Sequence, residues 1–332
     1  MVAAIVAVAA VAGAYFLGLI PLNSTGACQF NQVGSIQLPN VSGRIDHMAY
    51  DPGLKRLFVA ALVNNTVAVV DVSSGRFERS LNGFSEPQGV VYISSTDQVY
   101  ISNGGTGIVN VIGANSLKNI ANISLGSDAD NMRYLQGSNL VYVGYGKGGV
   151  AAVDLTTRAI AGAVTLPGHP EGFEVDAESG YMFVNVPTSG YIAVASTALY
   201  TVSQRWPLSN ATGNYPMALD QSHGRLFIGT RSPTQLVVID TGSGTTITTL
   251  GLPSDPDDIF YDGANSCIYI SSGSGYLTAV KETDPSHYSV VKQVTTSMNA
   301  RTSLLVPDQG LYFIAAPASQ ASQASIIEYR VT

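Results

Sequence analysis

The residues best suited to chemistry in this 332-residue chain are carboxylates set in seven short segments. The segments read RIDH (44–47), EPQG (86–89), DADN (128–131), HPEG (169–172), GNYP (213–216), DPDD (255–258) and ARTS (300–303). They hold eight of the 23 acidic residues: Asp46, Glu86, Asp128, Asp130, Glu171, Asp255, Asp257 and Asp258. Arg44, His47, Asn131, His169 and Arg301 are interspersed. The third position of each segment defines one layer: Asp46, Gln88, Asp130, Glu171, Tyr215, Asp257 and Thr302. If the seven segments surround a common axis, carboxylates in that layer repel one another and rise in pKa unless a cation intervenes. Oxygen donors without thiolates suit calcium or magnesium better than zinc. Asp46, Asp130, Glu171 and Asp257 are therefore the candidate metal ligands, and a divalent cation such as calcium is the one cofactor suggested. A cationic or polyhydroxyl ligand held by the same fifteen-residue collection of acids, bases and amides is an equal candidate. A plainer use competes with both, because Asp ahead of a strand commonly caps turn backbone through its own side chain. Arg44 and Arg301 can likewise serve only to neutralise neighbours.

No nucleophile is announced elsewhere. The chain lacks GxSxG, HExxH, a phosphate loop and an EF-hand loop. The glycine-rich stretch GYGKGG (144–149) lies between two strands of a hairpin, which is the wrong setting for a dinucleotide fingerprint. His223 and His287 fall in expected turns and read as surface residues, and Trp206, in an outer strand, reads as packing.

The elements that must position the acidic segments repeat along the chain. An apolar strand recurs as RLFVAAL (56–62), QVYISNG (98–104), LVYVGYG (140–146), YMFVNVP (181–187), RLFIGTR (225–231), CIYISSG (267–273) and LYFIAAP (311–317). The starts are 42, 42, 41, 44, 42 and 44 residues apart. That period is the signature of propeller blades with about four strands each. Each copy is preceded by a short strand such as HMAYD (47–51) and followed by another such as TVAVVDV (66–72), across Asn/Gly/Ser turns that tolerate positive φ. A more polar fourth strand, for example RFERSLN (76–82), completes the unit. The seventh unit runs out of chain, and VGSIQLP (33–39) has the pattern to supply its outer strand, which would close the ring and remove exposed edges. In such a ring the acidic segments, each entering an innermost strand, meet at one mouth of the central channel.

The wording GRIDHMAYDPGLKRLFVAALVNNTVAVVDVSSGR, followed by EPQGVVY, DADNMRY, HPEGFEVD, MALDQSHGRLFIGTR, DPDDIFYD and RTSLLVP, resembles the YVTN-repeat, YncE-like propellers across residues 33–332. That resemblance implies a surface or periplasmic seven-bladed propeller, in a family most of whose members have no assigned reaction. DNA binding attaches to some of them. A net charge of −7 and the absence of any Lys/Arg run argue against a nucleic-acid partner here.

Residues 2–20 carry no charged side chain, a length that can just span a bilayer as a helix. They are expected to act as a signal anchor or a signal peptide. Five N-x-S/T sequons, at Asn23, Asn40, Asn64, Asn122 and Asn210, suit a secreted, glycosylated surface. Cys28 and Cys267 fit no CxxC pattern. Cys28 loosely matches a lipidation box, a Cys28–Cys267 disulfide is open, and Cys267 in a buried strand also reads as a small apolar side chain. The expected organisation is thus a signal or anchor segment (1–22), a linker (23–32) and an all-β, seven-bladed propeller (33–332). The expected role is a cell-surface, extracellular or periplasmic module, tied to the membrane through its N-terminal helix. Its channel mouth would bind a ligand or a cell-surface protein. The alternative is a metal-dependent hydrolase of lactonase type with a carboxylate-bound cation in the channel.

Overall fold

A computed structural model describes residues 28–332. The expected anchor or signal helix lies outside the described residues. Among those residues no helix is long and apolar enough to cross a membrane.

The described chain forms seven four-stranded antiparallel sheets, each built from strands consecutive in sequence except the last. In the first blade the order from the axis outward is Met48–Asp51, Arg56–Ala61, Thr66–Asp71 and Arg76–Leu81. The innermost strands touch one another in cyclic order, and Ser303–Val306 of the seventh blade returns to Met48–Asp51 of the first. The architecture is a seven-bladed β-propeller.

The sequence dictates this layering through its apolar runs. The second strand of every blade is sandwiched between two neighbouring sheets, so both faces must be apolar. Leu57, Phe58, Val59, Ala60 and Ala61 are accordingly all fully buried. Large rings fill the wedges between blades, including Phe58, Tyr100, Phe183, Phe227, Tyr269, Tyr312 and Phe313. Each such side chain contributes roughly 1.5–3 kcal/mol through burial. Trp206 of the outer strand Thr201–Pro207 stacks on Phe183 at 5.4 Å and has the packing role expected of it. At the far end of the inner strands, Asp51, Asp176, Asp220 and Asp262 turn an Oδ1 back onto the amides of the following turn.

The seventh blade draws on both ends of the described chain. Its order is Phe30–Gln37, Ser325–Val331, Leu311–Ala316 and Ser303–Val306. The first of these strands starts at Phe30, inside the stretch read from sequence as linker, and bulges between Gln32 and Gly34. Just before it, Cys28 is disulfide-bonded to Cys267 of blade six, 239 residues away in sequence. Both sulfurs are thus committed. Cys267 is not a free apolar thiol, and Cys28 has no sulfhydryl to offer a lipid. Phe30 packs edge-on against Tyr269 and Tyr329, and Lys292 Nζ donates to the Phe30 carbonyl at 2.6 Å. The N-terminal strand is therefore riveted to two blades at once.

Because this bond closes a loop spanning most of the chain, the entropic penalty it removes from folding is near the upper end for disulfides. Replacing Cys28 and Cys267 together by Ser is expected to lower unfolding free energy by about 2–5 kcal/mol. Thermal unfolding of the double variant against the parent checks this, and an unchanged midpoint would contradict it.

Candidate functional site

Backbone irregularity aims the acidic segments at the axis. In blades two, three, five and six the inner strand slips register against its neighbour at its very start, between Pro87 and Val90, Ala129 and Met132, Asn214 and Met217, and Pro256 and Asp258. The residues skipped by the ladder include Gln88, Asp130, Tyr215 and Asp257, the third-position layer itself. A bulge re-aims the side chain it carries, so Asp130, Tyr215 and Asp257 leave the blade interior for the channel. The first position of three segments is held in the left-handed region: Glu86 at φ 50°, Asp128 at 39° and Asp255 at 61°. Their carbonyls accept hydrogen bonds from the amides of Gly104, Gly146 and Gly273 in the adjoining hairpins. Asp is one of the few non-glycine residues enriched in that conformation, which supplies a backbone reason for Asp128 and Asp255.

The channel mouth is lined by Arg44, Asp46, His47, Asp130, Asn131, Glu171, Tyr215, Asp257 and Asp258. Three ion-pair groups organise it. Arg231 meets Asp255 at 2.8 Å and also pairs with Asp257. Arg301 reaches the same two acids at 3.1 and 3.2 Å. The Arg231 guanidinium lies 3.8 Å above the Tyr215 ring. Across the mouth, His169 sits 3.5 Å from Asp128 and 3.1 Å from Asp130, with Nδ1 donating to the Gly146 carbonyl at 2.6 Å. Between these, His47 lies 3.6 Å from both Asp46 and Asp258, and Arg44 is 2.8 Å from Asp46. The Ser303 amide donates to Asp258 at 2.7 Å.

Glu171 stands apart. Among the described residues its side chain makes no hydrogen bond or ion pair, although it lines the mouth. Burial, followed by the nearby Asp130, pushes its pKa up to about 7. Burial also raises Asp258 to about 7, with His47 holding it back. Asp257 is raised by burial in spite of its two arginines, and Asp128 is raised chiefly by burial. The hydrogen bond to Asp130 lifts His169 to about 9, so this ring is an imidazolium at neutral pH. Burial works against a charged His47, yet Asp258 and Asp46 outweigh it and its pKa is raised.

Below the mouth the channel widens into a cavity of about 320 Å³ lined by His47, Met132, Arg133, Glu174, Asp258 and Phe260. The opposite opening, of about 360 Å³, is mostly apolar, with Tyr50, Val91, Tyr92, Tyr134, Leu304 and Val306 on its walls. Arg133 lines all three sections and is paired with Glu174 at 2.9 Å.

The structure thus brings Asp46, Asp130, Glu171, Tyr215, Asp257 and Asp258 together, along with Arg44, His47 and Asn131. Asp128, His169, Asp255 and Arg301 form the rim that braces them. Gln88 instead turns its amide toward Asp128 at 3.5 Å. Thr302 spends its hydroxyl on the Ile45 carbonyl, and Glu86 is exposed with its amide donating to Asn65. The proposed metal set is not assembled. Among the described residues, the only His/Cys/Asp/Glu group of three or more with donor atoms within 4.8 Å of one another is Asp220, His223 and Glu282, elsewhere on the molecule. At the mouth, Asp46 pairs with Arg44, and Asp257 with Arg231 and Arg301. Sequence reasoning missed Arg231, which arrives from the hairpin of blade five, and the Arg133–Glu174 pair. Arg133 did leave a signal, as a charge between Met132 and Tyr134 in the inner strand Ala129–Tyr134.

A raised carboxylate favours the protonated form of the folded state. The stability tied to Glu171 and Asp258 is therefore complete below about pH 4.5 and lost as pH rises through about 7. Glu171→Gln should leave the melting midpoint unchanged at pH 4.5 and raise it above the parent's at pH 8. A pH series of thermal melts reads the difference, and parallel curves would refute the assignment.

No family model and no curated protein matches the chain. Solved structures do. A chain of Kuenenia stuttgartiensis hydrazine synthase superposes with a TM-score of 0.74 at 14% identity, over 87% of this chain and 97% of that one. A chain of the mitotic checkpoint complex gives 0.77 at 13% identity, over 91% and 93%. At such identities the likeness is one of fold: both support the seven-bladed propeller.

Proposed function

We propose that this chain is an extracytoplasmic binding module, carried by its N-terminal segment, that takes a cationic group into the acidic mouth of its channel. The observation that carries this reading is Glu171: an unpaired carboxylate, open to the channel, in a layer whose other acids are braced by Arg44, Arg231, Arg301 or His169. A braced acid is a poor partner for a newcomer. An unbraced one, partly desolvated, gains most from an arriving ammonium or guanidinium. The group can belong to a small molecule or to a lysine or arginine side chain on a cell-surface protein. Tyr215, under the Arg231 guanidinium, offers an aromatic wall beside it.

The compartment rests on other grounds. A disulfide between cysteines so far apart suits an oxidising environment. The apolar run 2–20 suits export or anchoring, and the repeat wording resembles surface and periplasmic YncE-like propellers. The hydrolase alternative gains no support from geometry, because the donor atoms of Asp46, Asp130, Glu171 and Asp257 do not gather into one group.

Protonated Glu171 cannot hold a cation, so affinity should strengthen as pH rises through about 7. Calorimetric titration with spermidine and with a lysine-rich peptide, at pH 6 and pH 8, tests both the ligand class and the group. Tighter binding is expected at pH 8. Glu171→Gln should weaken it about tenfold or more, since hydrogen bonds to charged groups contribute about 1.5–3 kcal/mol. Equal affinity in the variant, or no binding of either cation by the parent, would defeat the proposal.

A further inference from the structure

At the opposite end of the inner strand Thr212–Asp220 from Tyr215 lies a second group of ionisable residues. Asp220 closes that strand, His223 follows in the turn, and Glu282 projects from Tyr276–Asp284 in the next blade. His223 Nδ1 is 2.6 Å from Asp220 Oδ2 and 3.8 Å from Glu282 Oε1. Both carboxylates are almost wholly buried, while His223 remains 45% exposed. We propose that Asp220, His223 and Glu282 form a zinc site that ties blade five to blade six.

Three observations carry this. The first is uncompensated charge. Two buried carboxylates converge on one imidazole, and among the described residues no Lys or Arg stands within ion-pair distance of either. Arg225, the nearest candidate, is spent on Asp240 at 2.7 Å and on the Pro285 carbonyl at 2.7 Å. At the channel mouth arginines meet Asp46, Asp255 and Asp257; here none meets either acid. Buried anionic charge without a full counter-charge is costly, and a divalent ion removes that cost.

The second is orientation by outer groups. Asp220 Oδ1 is occupied by the Ser222 hydroxyl and the amides of Ser222 and His223, which leaves Oδ2 free to face the imidazole. Glu282 accepts hydrogen bonds from the phenols of both Tyr261 and Tyr288. Partners of this kind fix the direction of metal-binding carboxylates.

The third is that the cluster breaks a structural repeat. Asp51, Asp176 and Asp262 cap the corresponding turns of blades one, four and six. Three residues beyond them stand Leu54, Ser179 and Asn265, where blade five has His223. Capping alone does not require a histidine there.

One nitrogen and two carboxylate oxygens suit zinc. Zinc bonds of about 2.0–2.2 Å place tetrahedral donors roughly 3.3–3.5 Å apart. The two measured separations straddle that value, so small side-chain rotations seat the ion. The ion takes the place of the hydrogen on Nδ1, and the neutral ring then carries its one N–H on Nε2. The exposed side of His223 leaves room for a water as fourth ligand.

Equilibrium dialysis of the chelator-stripped protein against zinc, with metal analysis, should give one bound equivalent. Cobalt should produce a tetrahedral visible spectrum, and the thermal midpoint should climb with zinc concentration. His223→Ala, in an exposed turn, should keep the circular dichroism of the parent yet lose the bound equivalent. Tyr288→Phe should weaken zinc about tenfold or more. A variant with Asp46, Asp130 and Asp257 changed to Asn should retain the equivalent, separating this site from the mouth. No stoichiometric uptake by the parent, or full uptake by His223→Ala, overturns the proposal.

Discussion

Seven sheets that are apolar on both faces can hide those faces only against one another, and only a closed circle leaves none exposed. The described structure depends on this constraint. It sets the burial of Leu57–Ala61 and its counterparts and draws large aromatic rings into the wedges between blades. It also makes Phe30–Gln37 complete the sheet begun by the last strands of the chain. The Cys28–Cys267 bond acts at the seam where that constraint is most vulnerable, since the seventh blade alone is held together by strands from both ends.

Closing the circle has an electrostatic consequence. Whatever side chains the blades carry at the start of their inner strands are forced toward one axis, whether or not their charges agree. The molecule resolves this with cations from the entering segments themselves and from one neighbouring hairpin. Arg44 and Arg301 belong to the entering segments, Arg231 comes from a hairpin, and His169 is made a cation by Asp130. The result is a mouth that is charged throughout yet mostly satisfied, with Glu171 as its exception.

Much of this could be read before any coordinates. Blade number follows from one apolar strand recurring at a nearly fixed interval, because packing between sheets requires that strand to be apolar on both faces. The convergence of Asp46, Asp130, Glu171 and Asp257 follows from the same alignment. What could not be read was which acids find partners. Arg231 lies 26 residues from Asp257 in sequence, and only the hairpin geometry of blade five brings the two together. Spacing places carboxylates on a ring but is silent about the arginines that reach them. His223 does sit exposed in a turn, as expected, but its approach to Glu282, in another blade, could not be read from sequence. Conversely, Asp128 and Asp255 owe part of their presence to left-handed backbone, a local demand that sequence alone confuses with ligand binding.

The Arg133–Glu174 pair gives the hole through the molecule a middle. Arg133 borders the acidic vestibule, the cavity beneath it and the apolar opening beyond. Its guanidinium is held there by a 2.9 Å ion pair to Glu174. A charged pair thus stands where the acidic and the apolar ends of the channel meet.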